Sequence, residues 1–352
     1  MGSEVFSGRR TLVLVIGMHR SGTSTVAGAL GILGATMPAT GLGLSEDNPK
    51  GHFEPREIVA LHDRVLASAA MHWWDWEKFP DAWYESDQAQ PFVDELADTV
   101  QTEFGDAPLF VVKDPRTCLL IPLWRRVASK LDLKIMAVLP VRHPDEVARS
   151  LHARDGFPLP NSHMAWLRYV LEAERESRDL PRVFLRYEDL LSDGPGTMRR
   201  VVETLQLPLN IGETGAALAD FIDPDLRRSR TDSAPLHPWL RDTLAAYENA
   251  ARARPDGTAH VPDAPLLDRI HAAYGTACAA FVPALRATNK GFEDAQALNR
   301  LIPGVQAERD AALAEAASLR AELTALEADL ANLRDRPQQG QAKPAVKWWQ
   351  RG

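Results

Sequence analysis

The sequence predicts an α/β fold with a central parallel sheet, followed by a C-terminal coiled-coil helix. Three observations carry that prediction. Short aliphatic runs at residues 12–16, 109–112, 133–141 and 183–187 are separated by longer stretches with helical periodicity, as expected of strands buried on both faces and joined by helical crossovers. Each run passes directly into a charged or glycine-bearing turn, the edge at which open parallel sheets hold ligands. From Leu319 onward, leucines alternate spacings of four and three, which is a heptad seam.

The first run, Leu12-Val13-Leu14-Val15-Ile16, stops at Gly17, and Val26, Ala27, Leu30 and Leu33 then recur at helical spacing. Strand, glycine turn and helix start bring backbone N–H groups to one point, where the helix dipole also favours an anion. Gly17-x4-Gly22 has the spacing of a phosphate-cradling loop, so the predicted architecture is P-loop NTPase-like and three-layered. The loop departs from the Walker A pattern, because Gly22 is followed by Thr23 and Ser24 and no lysine stands between. Its one cation is Arg20, whose guanidinium suits a phosphate. Gly17, His19, Arg20, Ser21, Gly22, Thr23 and Ser24 are therefore read as a nucleotide-phosphate site without ATP-style metal chemistry.

Arg20-Ser21-Gly22-Thr23 after a buried strand resembles the 5′-phosphosulfate loop of PAPS-dependent sulfotransferases, in the arginine form common to the carbohydrate and tyrosylprotein branches. The resemblance runs over residues 10–230 through four ordered motifs. It implies PAPS (3′-phosphoadenosine 5′-phosphosulfate) as donor, PAP as product, no metal, and a hydroxyl acceptor on a sugar, a glycan or a small molecule. In several branches a glutamate after the first helix, often followed by proline, takes the acceptor proton; Glu54-Pro55 matches it. The local reading of the same residues is an acid complementing a helix N-terminus, with Pro55 at the first helical position.

Lys113, at the end of the second run, matches the family's lysine near the transferred group. The histidine that cytosolic members carry two residues later is Pro115 here, which leaves Glu54 or Asp114 as base. Arg142 and Ser150, eight residues apart around Pro144, match the family's 3′-phosphate site. Tyr187-Glu188-Asp189-Leu190 after the fourth run recurs in the family, with packing and helix initiation as its expected roles.

Further candidates follow from position. His52, Asp114 and Arg116 lie beside these motifs and can meet the substrate, although an Asp114–Arg116 surface turn is the packing alternative. His62 is expected on a helix, at the surface or half-buried. Trp73 and Trp74, within the aromatic stretch 71–84, can form an acceptor platform or anchor a long loop on the core. Arg227, Arg228 and Arg230 form a basic knot, either a late nucleotide loop or a solvated turn.

A net charge of −8 argues against a nucleic-acid partner, so any anion site must be local. Cys118 and Cys278 give neither a disulfide framework nor metal spacing, which suits a reducing compartment. No run approaches the ~18 apolar residues of a membrane span and no signal-peptide core is visible, so the expectation is a cytoplasmic protein with no transmembrane segment. The expected domains are 1–300, a sulfotransferase domain; 301–336, a coiled-coil helix; and 337–352, a disordered tail that contains Trp348-Trp349. In the heptad register Glu315 and Asp329 meet Arg320 and Arg334 of a parallel neighbour, whereas Glu322 opposes Glu327. A homodimer or a partner protein is expected there. Two rival functions are carried forward: a P-loop kinase-like phosphotransferase and a catalytically idle PAPS- or PAP-binding assembly subunit.

Overall fold

The computed structural model describes residues 8–43, 51–212, 214–222, 235–252 and 261–334. The basic knot at 227–230 and the tail after 334 lie outside the described residues. The four aliphatic runs become β1 (Thr11–Val15), β2 (Leu109–Lys113), β3 (Lys134–Val141) and β4 (Arg182–Arg186). They form one all-parallel sheet in the order β2-β1-β3-β4. The fourth run ends a residue early, because Tyr187 already opens a helix.

The helices are α1 (Thr23–Ile32), α2 (Arg56–Ser68), α3 (Asp81–Tyr84), α4 (Ala89–Phe104), α5 (Ile121–Lys130) and α6 (Pro144–Asp155). They continue with α7 (Leu159–Glu176), α8 (Tyr187–Ser192), α9 (Gly194–Leu205), α10 (Gly215–Phe221), α11 (Pro238–Ala251) and α12 (Ala264–Arg334). One face of the sheet, through Val13, Val15, Val111, Val138 and Leu185, packs on α1, α9 and α10. The other carries α11, whose Tyr247 meets Phe184 of β4 edge-on. Strand residues are buried on both sides, which is why the runs show no polar alternation.

Topology places the functional edge. From β1 the chain steps to β2 on one side, then returns to lay β3 and β4 on the other. A sheet of this order opens a crevice between the carboxyl ends of β1 and β3. The loop after β1 holds Arg20 and the turn after β3 holds Arg142.

The chain divides into two units, residues 1–290 and 291–352. Within the first, Leu267, Ile270, Tyr274 and Cys278 of α12 are buried at helical spacing. In the second, the described apolar side chains from Leu298 to Leu330 are exposed. Among the described residues, no helix is long and apolar enough to cross a membrane.

Candidate active site

The phosphate loop is shaped by two glycines. Gly17 lies against β3, where a Cβ would stand 3.0 Å from the Pro140 carbonyl oxygen. Gly22 adopts φ +87°, and a side chain there would collide with the Tyr187 ring. Arg20 is also left-handed, at φ 66°, a conformation that costs a non-glycine residue about 1 kcal/mol or more and concentrates at functional loops. The twist sends its guanidinium across the crevice, where Nε donates to Ser150 Oγ at 2.9 Å. At α1 no acidic residue stands in the first turn and Gly22 provides no side-chain cap, so the positive end of the helix dipole faces the loop.

Two polar atoms of the loop are buried. Ser21 Oγ and His19 Nε2 find no hydrogen-bond partner among the described residues. A buried hydroxyl or imidazole nitrogen left unbonded costs roughly 1–3 kcal/mol. Burial holds the His19 pKa well below its ordinary value, reinforced by Arg116, Arg154 and Lys113 and opposed by Asp114. Its ring packs on Trp73 at 4.6 Å and Tyr169 at 5.8 Å.

The second basic grip lies against the first. Arg142 follows β3, donates through Nη1 to the Arg20 carbonyl at 3.2 Å, and sits 4.6 Å over the Tyr187 ring. Its Nε bonds Glu146 Oε2 at 2.9 Å, a buried pair along α6. Pro144 opens α6 and His143 caps it by accepting from Asp145 N. Ser150 therefore lies two turns along the helix, in reach of Arg20. The crevice thus gathers Arg20, Arg142 and Ser150, 130 residues apart at the extreme.

A second cluster adjoins it. Lys113, the last residue of β2, donates to Ser24 Oγ at 3.0 Å, to the His52 carbonyl at 3.1 Å and to Glu54 Oε1. Ser24 Oγ also meets the His52 carbonyl. Glu54 and Lys113 are both buried. Glu54, expected in the cap region, stands one residue before the cap. Pro55 occupies the cap position with α2 starting at Arg56, and the Glu54 carboxylate turns inward to Lys113.

Asp114 is fully buried, so the surface-turn alternative is corrected. Its Oδ2 meets His62 Nδ1 at 2.7 Å and its Oδ1 accepts from the Arg116 N and Nη1, both at 3.1 Å. Burial alone would raise its pKa, but the Arg116 guanidinium and the His62 bond hold it well below the carboxylate range. Arg116 also donates to Asp63. His62 is corrected from surface to fully buried. The Trp124 indole N–H donates to its Nε2 at 3.0 Å, so Nδ1 carries the proton given to Asp114. This Trp–His–Asp chain ties α2, just after Glu54, to the end of β2, which carries Lys113.

Trp73 and Trp74 are buried. Trp73 wedges between His19 and Phe157, its carbonyl held by Tyr169 Oη at 2.9 Å. Trp74 meets Trp73 edge-on and stacks on the His72 ring at 4.8 Å. They brace the loop; neither presents an open face as an acceptor platform does.

Glu146, Tyr187 and Trp124 escape sequence reasoning as site residues. Glu146 stands at i+4 from Arg142 and Tyr187 at the end of a strand, two signals that were available. Nothing local marks Trp124.

No family model matches the chain, and no curated protein matches it. Among solved structures it is similar to the sulfotransferase domain of the Synechococcus PCC 7002 olefin synthase, at 18% identity and a TM-score of 0.43, over 70% of this chain and 98% of that one. It is also similar to the sulfotransferase domain of the curacin biosynthetic pathway (14%, TM-score 0.41, 68% and 98%). A third is the sulfotransferase STF1 of Mycobacterium tuberculosis H37Rv (14%, TM-score 0.35, 60% and 71%).

Proposed function

We propose that this chain is a sulfotransferase that moves a sulfuryl group from PAPS to a hydroxyl of a sugar, glycan or other small molecule. One observation supports this above the rest: two arginines from distant strand ends meet beside a buried lysine–glutamate pair. Arg20, Ser21 and the N–H groups of residues 22–24 would hold the 5′-phosphosulfate. Arg142 and Ser150 would hold the 3′-phosphate, with His19 and Gly17 completing the loop. The unpartnered Ser21 hydroxyl and His19 nitrogen fit an anionic group rich in acceptors.

The chemistry then follows from proton and charge. The acceptor oxygen bonds to sulfur as the sulfur–oxygen bond to the 5′-phosphate breaks. The acceptor proton passes to the Glu54 carboxylate. The electron pair leaves on the phosphate oxygen, where Arg20, Lys113 and the helix N-terminus stabilise it without reorganising. Asp114 is an unsuitable base, because its oxygens are engaged by His62 and Arg116. It positions the β2 end instead.

The kinase-like alternative would place magnesium at Ser24, the hydroxyl position of a Walker A loop. That hydroxyl faces the Lys113 ammonium at 3.0 Å, a cation already at the site, which favours the sulfuryl reading. Calorimetry with PAP and with ATP and magnesium, followed by incubation of the purified chain with sulfur-labelled PAPS and cell extract, tests the proposal. PAP binding that exceeds ATP binding, with label appearing on a hydroxyl compound, is the expected result; tighter binding of ATP with magnesium overturns it. Binding of PAP without label transfer to any acceptor would instead favour the idle assembly subunit.

A further inference from the structure

The second unit presents a surface that the chemistry above does not use. Leu298, Leu301, Ile302, Val305, Leu313, Leu319, Leu323, Leu326 and Leu330 are all exposed, Leu326 by 66%. Exposed leucines in such density on one helix are not a stable end state in water, because each buries with a gain of roughly 1.5–3 kcal/mol.

Their order says what covers them. Taking Leu326 as a d position, the same register runs back through Leu319, Ala312, Val305 and Leu298 at d. Leu330, Leu323, Ala316, Arg309, Ile302 and Ala295 stand at a. Leu298 and Leu333 stand 35 positions apart, five heptad repeats, both within α12. The structure extends the seam upstream of the alanines, because Leu298, Ile302 and Val305 continue it on a helix that does not break at Pro303.

Charge selects the occupant. From Glu308 onward the g positions Glu308, Glu315, Glu322 and Asp329 are acidic and the e positions are Leu313, Arg320, Glu327 and Arg334, whereas upstream Leu301 at g and Gln306 at e are uncharged. An antiparallel pair sets g against g and so acid against acid. A parallel pair sets g against e, placing Glu315 on Arg320 and Asp329 on Arg334 of the second copy, with Glu322 on Glu327 as the single repulsion. Arg309 at a adds a polar layer, which fixes register and favours a low oligomer number.

We propose that α12 is the dimerisation element: a second copy of this chain covers the Leu298–Leu333 seam as a parallel, in-register two-stranded coiled coil. The test uses the full chain and no activity assay, so it stands apart from the sulfotransferase reading. Sedimentation equilibrium should give twice the 38.9 kDa chain mass. A Leu330→Cys chain under mild oxidation should form an intermolecular disulfide, which only a parallel, in-register pair allows at that end of the helix. L326D should raise the dissociation constant by at least about 100-fold while leaving the unfolding temperature of the first unit within error. A monomer or trimer mass, a dimer that resists crosslinking at 330, or a dimer indifferent to L326D overturns the proposal.

Discussion

The crevice and the second unit each leave something unsatisfied, and the two deficits differ in kind. At the end of β1, Ser21 Oγ and His19 Nε2 are buried polar atoms with no hydrogen-bond partner among the described residues. Around them three cations are paired with acids, Lys113 with Glu54, Arg142 with Glu146 and Arg116 with Asp114. On the second unit the reverse holds, with apolar side chains in water and charges where solvent reaches them. A deficit of hydrogen bonds calls for a small polar ligand, and a deficit of apolar contact calls for another polypeptide. The comparison separates where this chain would do chemistry from where it would assemble.

The sharpest way to break that division is at Glu54. Glu54→Gln keeps shape and removes the proton acceptor, so sulfate transfer should fall about 100- to 10,000-fold while PAP affinity, read by calorimetry, changes less than about threefold. A parallel loss of PAP affinity would move Glu54 to the nucleotide grip. Arg142→Ala comes next. It removes a charge-assisted contact of about 1.5–3 kcal/mol, which is roughly 10- to 100-fold in PAP affinity. It also leaves Glu146 buried without its cation, so the melting temperature should drop as well. Unchanged PAP binding would separate the two grips.

His62→Ala probes the link between the β2 end and α2. Losing the bonds to Asp114 and Trp124 should cost about 2–4 kcal/mol in chemical denaturation, with Trp124→Phe costing about 1 kcal/mol. Equal losses in the two variants would show that packing, not the proton chain, carries the tie.

Acidification gives a smaller effect with a defined sign. His19 is held neutral in the folded chain, its pKa depressed by burial. The associated stability is present above the unfolded value near 6.5 and is lost as pH falls below it. The wild-type melting temperature should therefore decline from pH 7.5 to 5.5, and His19→Gln should flatten that slope. An unchanged slope assigns the decline elsewhere. The smallest effect belongs to the seam. Glu322→Lys converts its one repulsive g–e pair to an attractive one and should tighten the dimer about two- to fivefold at low salt. No gain in affinity would argue against the parallel Glu322–Glu327 pairing.

Much of this was legible in the sequence. Four aliphatic runs announced four parallel strands, because a strand covered on both faces must be apolar at every position. Gly17 and Gly22 announced the loop, since a backbone pressed against β3 and a left-handed turn against Tyr187 tolerate little else. The partners were not legible. His62 looks like any helical histidine until Trp124 and Asp114 close on it from 62 and 52 residues away.

The sequence by itself determined which residues carry charge at strand ends and where the heptads fall, because those depend on spacing along the chain. Only the tertiary structure decided that Arg20 and Arg142 share one crevice, that Glu54 faces Lys113 instead of capping a helix, and that Asp114 is fully engaged. Those are questions of strand order and burial. The β2-β1-β3-β4 order brings the ends of β1 and β3 together, and burial then obliges each charge to find its partner.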